Sequence, residues 1–209
     1  MREPTRLFVL RHGQTAWNAE MRIQGQLDIT LNDTGRGQAA RLGQALAGED
    51  LAAVYSSDLQ RALATAQAVV AATGAPLHTD RLLRERGFGR FEGHLYAEIA
   101  RDWPDEAERW HRREAGFGPG GGEVLQSFYE RCVDTVCALA APHAGQTIAI
   151  VAHGGVLDCL YRAAVGVALD APRSWQLGNA TINRLLFNGE GLSLVGWNDT
   201  GHLEGGPLA

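Results

Sequence analysis

Two histidines and two arginines stand where buried strands would deliver them to one place. Arg11 and His12 directly follow the first apolar run of the chain, and His153 directly follows another continuous apolar run. Arg61 lies at the start of a helical pattern that follows a third, shorter run. In open α/β sheets ligands bind beyond the carboxyl ends of the strands. These four side chains are therefore expected to meet at one edge of the sheet if the three strands are neighbours.

Such a cluster suits an anion better than a metal ion. The fixed positive charges of Arg11 and Arg61 oppose a cation, whereas the guanidinium fork donates paired hydrogen bonds to phosphate. A helix expected to begin near Gly154 adds backbone donors and a favourable dipole. His12 is then a candidate nucleophile toward phosphorus. A carboxylic acid nearby could protonate the leaving oxygen and later activate water.

The hydrophobic pattern predicts the strands that position this cluster. Continuous apolar residues at 7–10 and 147–152 are typical of parallel strands buried on both faces, and residues 52–55 indicate a further short strand. Segments 181–187 and 192–197 flank a turn rich in Asn and Gly, which predicts a terminal hairpin. The expected fold class is α/β, a three-layer sandwich with a mostly parallel central sheet, helices on both faces and an antiparallel edge hairpin.

Helices and domain organisation follow from the same pattern. We expect one domain over residues 1–209, with a small cap-like helical insertion at about 94–122 that a Gly-rich stretch joins back to the core. A capping box from Ser57 to Gln60 is expected to begin the helix that carries Arg61. The predicted helices cover 34–47, 58–72, 96–113, 123–141 and 155–165.

The composition excludes several classes of function. All 19 basic side chains are Arg, so the chain has no Schiff-base lysine, no pyridoxal phosphate anchor and no lysine for a nucleotide phosphate loop. A net charge of −5 argues against a nucleic-acid or membrane partner. We expect a monomer or a homodimer. Arginines in helical patterns are expected on solvated faces, namely Arg36, Arg41, Arg101, Arg109, Arg131 and Arg162.

Cysteine usage and hydropathy predict the cellular setting. Cys132, Cys137 and Cys159 form no C-x-x-C pair and sit in apolar stretches, as expected of small buried side chains in a reducing compartment. The first residues do not resemble a secretion signal, and no stretch approaches the roughly 20 apolar residues of a membrane span. A cytoplasmic location is therefore expected.

The run Val9-Leu10-Arg11-His12-Gly13-Gln14-Thr15, followed by Asn18, resembles the signature of the histidine phosphatase superfamily, the phosphoglycerate mutase-like proteins. Each motif alone is weak, but five in the family's order are specific. The similarity covers about residues 7–203 and continues through Gln24-Gly25, 31–35, 56–62 with Thr65-Ala66, 83–93, Gly122-Glu123 and 151–155.

This resemblance implies roles for individual residues. His12 would be the nucleophile that becomes phosphohistidine, and Glu85 would be the proton donor. Glu92 is the competing carboxylate, but the family keeps a structural Glu-Gly pair at that place. The family needs no metal and no other cofactor. The residues expected to bind the phosphoryl group or line its pocket are Arg11, Asn18, Gln24, Gly25, Arg61, His153 and Gly154.

The expected activity is hydrolysis of a small phosphorylated metabolite by a metal-independent histidine phosphatase. A mutase must hold a second phosphate, and the family's cofactor-dependent mutases carry a longer insertion with Lys and paired Arg for this purpose. Here the insertion is short and Lys is absent. Arg112-Arg113 nevertheless retains a phosphoglycerate mutase as an alternative, beside non-catalytic phospho-ligand binding and a metallohydrolase. Residues whose place at the site stays open are Arg22, Arg84 and Arg86, and the aromatic residues of a lid or a packed cap, Trp103, Trp110, Phe117 and Tyr129.

Overall fold

A six-stranded mixed sheet organises the chain, of which the computed structural model describes residues 3–204. The strands are β1 (Thr5–Arg11), β2 (Leu51–Ser56), β3 (Leu77–Thr79), β4 (Thr147–Ala152), β5 (Ile182–Phe187) and β6 (Leu192–Asp199). Their order is β3-β2-β4-β1-β5-β6. Strands β3, β2, β4 and β1 pair in parallel, and β5 is antiparallel to both β1 and β6. The expected mostly parallel sheet with an antiparallel edge hairpin is confirmed.

The helices agree with the periodic pattern except near the insertion. Four of the five predicted helices begin and end within two residues of the observed bounds. The short edge strand β3 and the one-turn helix α1 were not predicted. The helices are α1 (Ala16–Ala19), α2 (Asp33–Leu46), α3 (Gln60–Thr73), α4 (Tyr96–Asp102), α5 (Pro104–His111), α6 (Leu125–Ala140) and α7 (Gly154–Val165).

The central strands bury both of their faces, as their continuous apolar sequences predict. Leu7 and Val9 of β1 pack into one hydrophobic cluster with buried residues of α6 and α7. Phe8 and Leu10, which alternate with them, pack into a second cluster with residues of α2 and α3. Alternation along a strand sends successive side chains to opposite faces. The sheet therefore lies between two helical layers, and the expected three-layer sandwich is confirmed.

Two details of the predicted helices are wrong. The expected helix 96–113 breaks at Trp103, whose backbone leaves the helical region because Pro104 follows it and begins α5. The expected capping box of Ser57 and Gln60 does not form, since α3 begins only at Gln60 and has no side-chain cap at Leu59. The carboxylate of Asp28, from a distant segment, accepts instead from the backbone N–H of Gln60 at 2.7 Å.

Two arginines expected on solvated helix faces are held inside the protein. The Arg162 side chain is fully buried, forms an ion pair with Asp158 one turn earlier on α7, and donates to the Ala171 carbonyl. Arg131 forms a double hydrogen bond with Glu123, at 2.8 Å through both nitrogens. A buried arginine is tolerated when its charge is paired and its donors are satisfied, and these partners meet that condition.

The segment around α4 and α5 has a small apolar cluster of its own. Ile23, Phe91 and Ile99 are buried there, with Trp103 and Trp110 packed against them. A further tie is the ion pair between Arg113, just beyond α5, and Asp158 of α7 at 2.7 Å. No helix among residues 3–204 is long and apolar enough to cross a membrane.

Candidate active site

The sheet brings His12 and His153 together. Strands β1 and β4 are adjacent and parallel, and each histidine is the first residue after its strand. The backbone N–H of His12 donates to the Ala152 carbonyl at 3.0 Å, which continues the strand pairing up to the site. The centroids of the two imidazole rings are 5.2 Å apart. Both histidines therefore lie at the carboxyl edge of the sheet, where the sequence predicts them.

Backbone carbonyls hold the two predicted arginines. Arg11, the last residue of β1, donates through Nη1 to the carbonyl of Leu177. Arg61, in the first turn of α3, is 1% exposed and donates to the carbonyls of Leu27 at 2.8 Å and Gly25 at 2.7 Å. Within residues 3–204 neither guanidinium forms an ion pair with a carboxylate, so their positive charge stays available to a ligand.

Several buried polar atoms at this edge have no protein partner. They are the Nε atoms of Arg11 and Arg61 and both ring nitrogens of His153, none of which is hydrogen-bonded within the described residues. Buried polar groups in proteins are nearly always hydrogen-bonded, so an unpartnered cluster marks a ligand position. Guanidinium nitrogens only donate. The missing partner is therefore an acceptor, and a tetrahedral oxyanion matches it.

His12 is held as a neutral imidazole with a free lone pair. Burial lowers its pKa well below the usual 6.5, and the charges of Arg61 and Arg11 lower it further. Its Nδ1 lies 2.7 Å from the carbonyl oxygen of Gly13, which can only accept, so Nδ1 carries the proton. The lone pair is therefore on Nε2. Burial lowers the pKa of His153 in the same direction, again with a contribution from Arg61.

Glu85 reaches the same edge from the loop after β3. Its Oε2 accepts from the backbone N–H of Gly155 at 2.9 Å, and its Oε1 accepts from the N–H of Arg86 at 2.8 Å. A Cβ at position 155 would lie 2.2 Å from Glu85 Oε1, so this contact requires glycine. The first turn of α7 thus fixes the predicted proton donor beside His153.

The remaining predicted residues line the same cavity, except that Gly25 and Gly154 act through their backbones. Asn18 uses its side-chain oxygen within the protein, where it accepts from Thr15 N–H at 3.0 Å, and this leaves its Nδ2 without a partner in the described chain. Gln24 has a buried, unpartnered Oε1. Gly25 has a φ of +53° and allows Glu92 to approach closely.

Glu92, the competing carboxylate, is occupied by the backbone. Its Oε1 accepts from the N–H groups of Gln26 at 3.0 Å and Phe88 at 2.9 Å, so it braces two loops. Of the three arginines left open, Arg84 pairs with Asp58 at 2.6 Å. Arg22 and Arg86 line the cavity, and each is bonded to a backbone carbonyl.

The four aromatic residues of the expected lid separate into different places. Trp110 lines the cavity and stacks on Tyr96, with the ring centroids 5.5 Å apart. Trp103 packs on Phe91 within the cluster around α4 and α5. The other two, Phe117 and Tyr129, are not among the cavity-lining residues, and Tyr129 packs against the main core. A lid of all four residues is therefore wrong.

The segment after α7 was missed at the sequence level. Residues 172–178 form a wall of the cavity, and Asn179 donates to the His12 carbonyl at 3.0 Å and to Asn18 Oδ1 at 3.3 Å. This segment contains no helix or strand, so no periodic pattern announces it. The Asn-Ala step at 179–180, with Ala180 at a φ of +52°, is the one local signal of a special backbone position.

The cavity has a volume of about 980 Å³, which is ample for a small metabolite. Within the described chain no group of three or more His, Cys, Asp or Glu side chains is placed to hold a metal ion. A neutral nucleophilic imidazole stands here among cationic donors that lack an acceptor. Fold and site together define an α/β protein built to bind a phosphoryl group beside a histidine.

Comparison with known proteins makes the class specific. The histidine phosphatase superfamily (branch 1) matches residues 7–200, and the chain belongs to this family. It is 40% identical to phosphoglycerate mutase-like protein 4 of Arabidopsis thaliana, covering 95% of this chain and 86% of that protein. It is 33% identical to a metal-independent phosphoserine phosphatase of the same plant, covering 97% and 84%. A phosphoserine phosphatase from Entamoeba histolytica, solved with 3-phosphoglyceric acid, superposes with a TM-score of 0.85 at 29% identity, covering 95% and 99%.

Proposed function

We propose that this chain is a metal-independent phosphatase that hydrolyses a small phosphomonoester through a phosphohistidine at His12. The observation that carries the proposal is the Nδ1 hydrogen bond of His12 to Gly13, which presents the Nε2 lone pair next to unpartnered donors of Arg11, Arg61 and His153. Two relatives of similar length are named as phosphoserine phosphatases, which supports hydrolysis as the reaction.

In the first step the substrate phosphate binds against the free donors of Arg11, Arg61 and His153. The Nε2 lone pair of His12 forms a bond to phosphorus, and the bond from phosphorus to the ester oxygen breaks in line with it. Fixed cationic donors stabilise the charge on the equatorial oxygens without having to reorganise. Glu85 gives its proton to the departing alkoxide, so the alcohol leaves neutral.

In the second step water replaces the alcohol. Glu85, now a carboxylate, takes a proton from this water while its oxygen attacks phosphorus and the bond to His12 Nε2 breaks. Inorganic phosphate leaves, and both His12 and Glu85 return to their starting forms. The hydrogen bond from Gly155 N–H to Glu85 at 2.9 Å keeps the carboxyl group in place through both steps.

The positions of Arg112 and Arg113 favour a phosphatase over a mutase. Arg112 is 69% exposed and paired with Glu108, outside the cavity lining. Arg113 lines the cavity, but its guanidinium is engaged by Asp158 at 2.7 Å and by the Leu169 carbonyl at 2.8 Å. The paired arginines therefore do not form a free site for a second phosphate.

We further propose that residues 94–122 form a cap on one domain that comprises the whole chain. The support is the separate apolar cluster around α4 and α5 and its ion pair to α7 through Arg113. The three cysteines are free, which supports a reducing, cytoplasmic setting. A monomer or a homodimer stays the expectation for its assembly.

Phosphate release from a panel of phosphomonoesters, with excess chelator present, tests this function. The wild type should turn over, and acid quenching should trap phosphate on His12. His12→Asn should lose at least about 10³-fold in kcat and all labelling. His78→Asn, which changes a histidine stacked on Tyr55 away from the cavity, is the matched control. A metal requirement, isomerisation of 3-phosphoglycerate without phosphate release, or binding without turnover would each refute the proposal.

A further inference from the structure

The cavity carries more positive charge than one phosphoryl group requires. The carboxylates that line it are Glu85 and Asp158, and Asp158 is already shared between Arg113 and the buried Arg162. A substrate phosphate placed against His12 engages the arginines at the sheet edge and leaves the far end cationic. The arginines that line the cavity are Arg11, Arg22, Arg61, Arg86, Arg113 and Arg173.

Arg173 differs from the other five arginines in having a free guanidinium. Each of the others donates to at least one protein atom, for example Arg22 to the Gly93 carbonyl at 2.5 Å and Arg86 to the Phe117 carbonyl at 2.7 Å. Arg173 is exposed and has no hydrogen bond or ion pair with any residue in the range 3–204. A free guanidinium fork inside a substrate cavity suits a carboxylate, which it binds through two parallel hydrogen bonds.

The backbone around this free side chain is firmly anchored. Buried Arg162 donates to the Ala171 carbonyl at 2.9 Å, just before Arg173. Trp175, just after it, stacks on Tyr161 of α7 with the ring centroids 4.1 Å apart. The site therefore has a fixed base and one adaptable cation, as expected of a residue that contacts a ligand rather than supports the fold.

Electrostatic effects place Arg173 near both ends of the substrate space. Burial lowers the pKa of Arg11 at the sheet edge, and repulsion from Arg173 adds to that lowering. Burial raises the pKa of Tyr96, and the charge of Arg173 is the strongest effect that opposes it. Arg173 thus stands close enough to the phosphate position and the Tyr96 wall to meet a group on a small substrate.

We propose that Arg173 binds a carboxylate of the substrate, so that the preferred substrates are phosphomonoesters of small carboxylic acids. The inference rests on the proposed function, since it assigns the end of the substrate that points away from His12. It names a specificity residue in the segment 172–178, outside the motifs that carry the phosphoryl chemistry.

Two substrates that differ at one group test this assignment. In 3-phosphoglycerate a carboxylate stands where glycerol 3-phosphate has a hydroxymethyl group. Arg173→Gln should lower kcat/KM for 3-phosphoglycerate by about 10- to 100-fold, chiefly through KM, the loss expected for a paired charged hydrogen bond. For glycerol 3-phosphate the loss should stay within about five-fold, the effect of an exposed charge. The wild-type preference for the carboxylate substrate should therefore disappear.

Arg112→Gln is the matched control, because it removes an equally charged but outward-facing side chain and should leave both substrates unaffected. Equal losses on the two substrates, or none on either, overturn the role of Arg173 while leaving the phosphatase intact. A larger loss on fructose 1,6-bisphosphate than on 3-phosphoglycerate would mean that Arg173 binds a second phosphate, and it also overturns the proposal. If the wild type releases no phosphate from any phosphomonoester and His12 is never labelled, the proposed function itself fails.

Discussion

Replacing Gly155 by Ala displaces Glu85 without touching any reacting group directly. The new Cβ would lie 2.2 Å from Glu85 Oε1, whereas ordinary contact begins at 3.4 Å, so the carboxyl group must retreat by about 1.2 Å. The obstructing atom is the end of a side chain, and the next neighbour, Phe128 Cε1, is 3.1 Å away. The adjustment therefore falls on Glu85 and costs the fold little.

The size of the effect follows from what Glu85 is proposed to do. A misplacement of about 1 Å can cost roughly 10²-fold in rate. An alkoxide leaves poorly without a proton, so kcat/KM for 3-phosphoglycerate should fall by about 10²-fold. p-Nitrophenolate leaves without protonation, so kcat/KM for p-nitrophenyl phosphate should fall by less than about ten-fold. Because the second step still needs Glu85 as a base, this substrate should show a burst of p-nitrophenolate before a slow steady state.

Gly37→Ala is the matched control, since nothing lies within 4 Å of a Cβ at that position of α2. It should leave both substrates unaffected and stabilise the fold by about 0.5–1 kcal/mol. Equal losses of Gly155→Ala on the two substrates would contradict proton donation by Glu85. Unchanged turnover of 3-phosphoglycerate, in a variant that unfolds like the wild type, would remove Glu85 from the mechanism.

Two further predictions concern stability. Burial lowers the folded-state pKa of His12 and His153 well below 6.5, so their stabilising contribution is complete above pH 6.5 and is lost as the unfolded chain takes up protons below it. Between about pH 7.5 and about pH 5.5 each histidine should cost about 1.4 kcal/mol by denaturant titration, and His153→Asn should remove its share; an unchanged pH dependence would contradict the neutral pair. Asp158→Ala leaves Arg162 buried without its anion and should cost about 3–5 kcal/mol, while Glu108→Ala, at an exposed pair, should leave the unfolding free energy nearly unchanged; similar values for both would show that Arg162 is not held by Asp158.

The sequence predicts those parts of the molecule where local pattern and tertiary structure agree. Strand β4 was predicted to its exact bounds because six consecutive buried residues leave no other regular structure so short. His12 and His153 could be located because each directly follows such a strand. Their partnership depends on β1 and β4 being neighbours, which the resemblance to a known family supplied and the hydrophobic pattern alone could not.

What could not be predicted depends on contacts between distant segments. Arg162 fits a solvated helix face equally well, and only the carbonyls of the following loop show that it points inward. The capping box at Ser57 failed because Asp28 competes for the same helix end. Arg173 lies in a segment without helix or strand, so nothing periodic distinguishes it from a solvated arginine. Residues of this kind shape the substrate cavity and escape pattern-based reasoning for a physical reason.

The way Arg11 and Arg61 are held explains how an acidic protein keeps a cationic site. A carboxylate partner would fix a guanidinium but cancel its charge, whereas carbonyls fix it through Nη and leave the charge for the substrate. Burial lowers the pKa of Arg61 to about 10, so it stays cationic near neutral pH. The Nε of each remains free to donate. A lysine has a single nitrogen for both tasks, so at these two positions arginine meets a geometric requirement that a bias in composition does not explain.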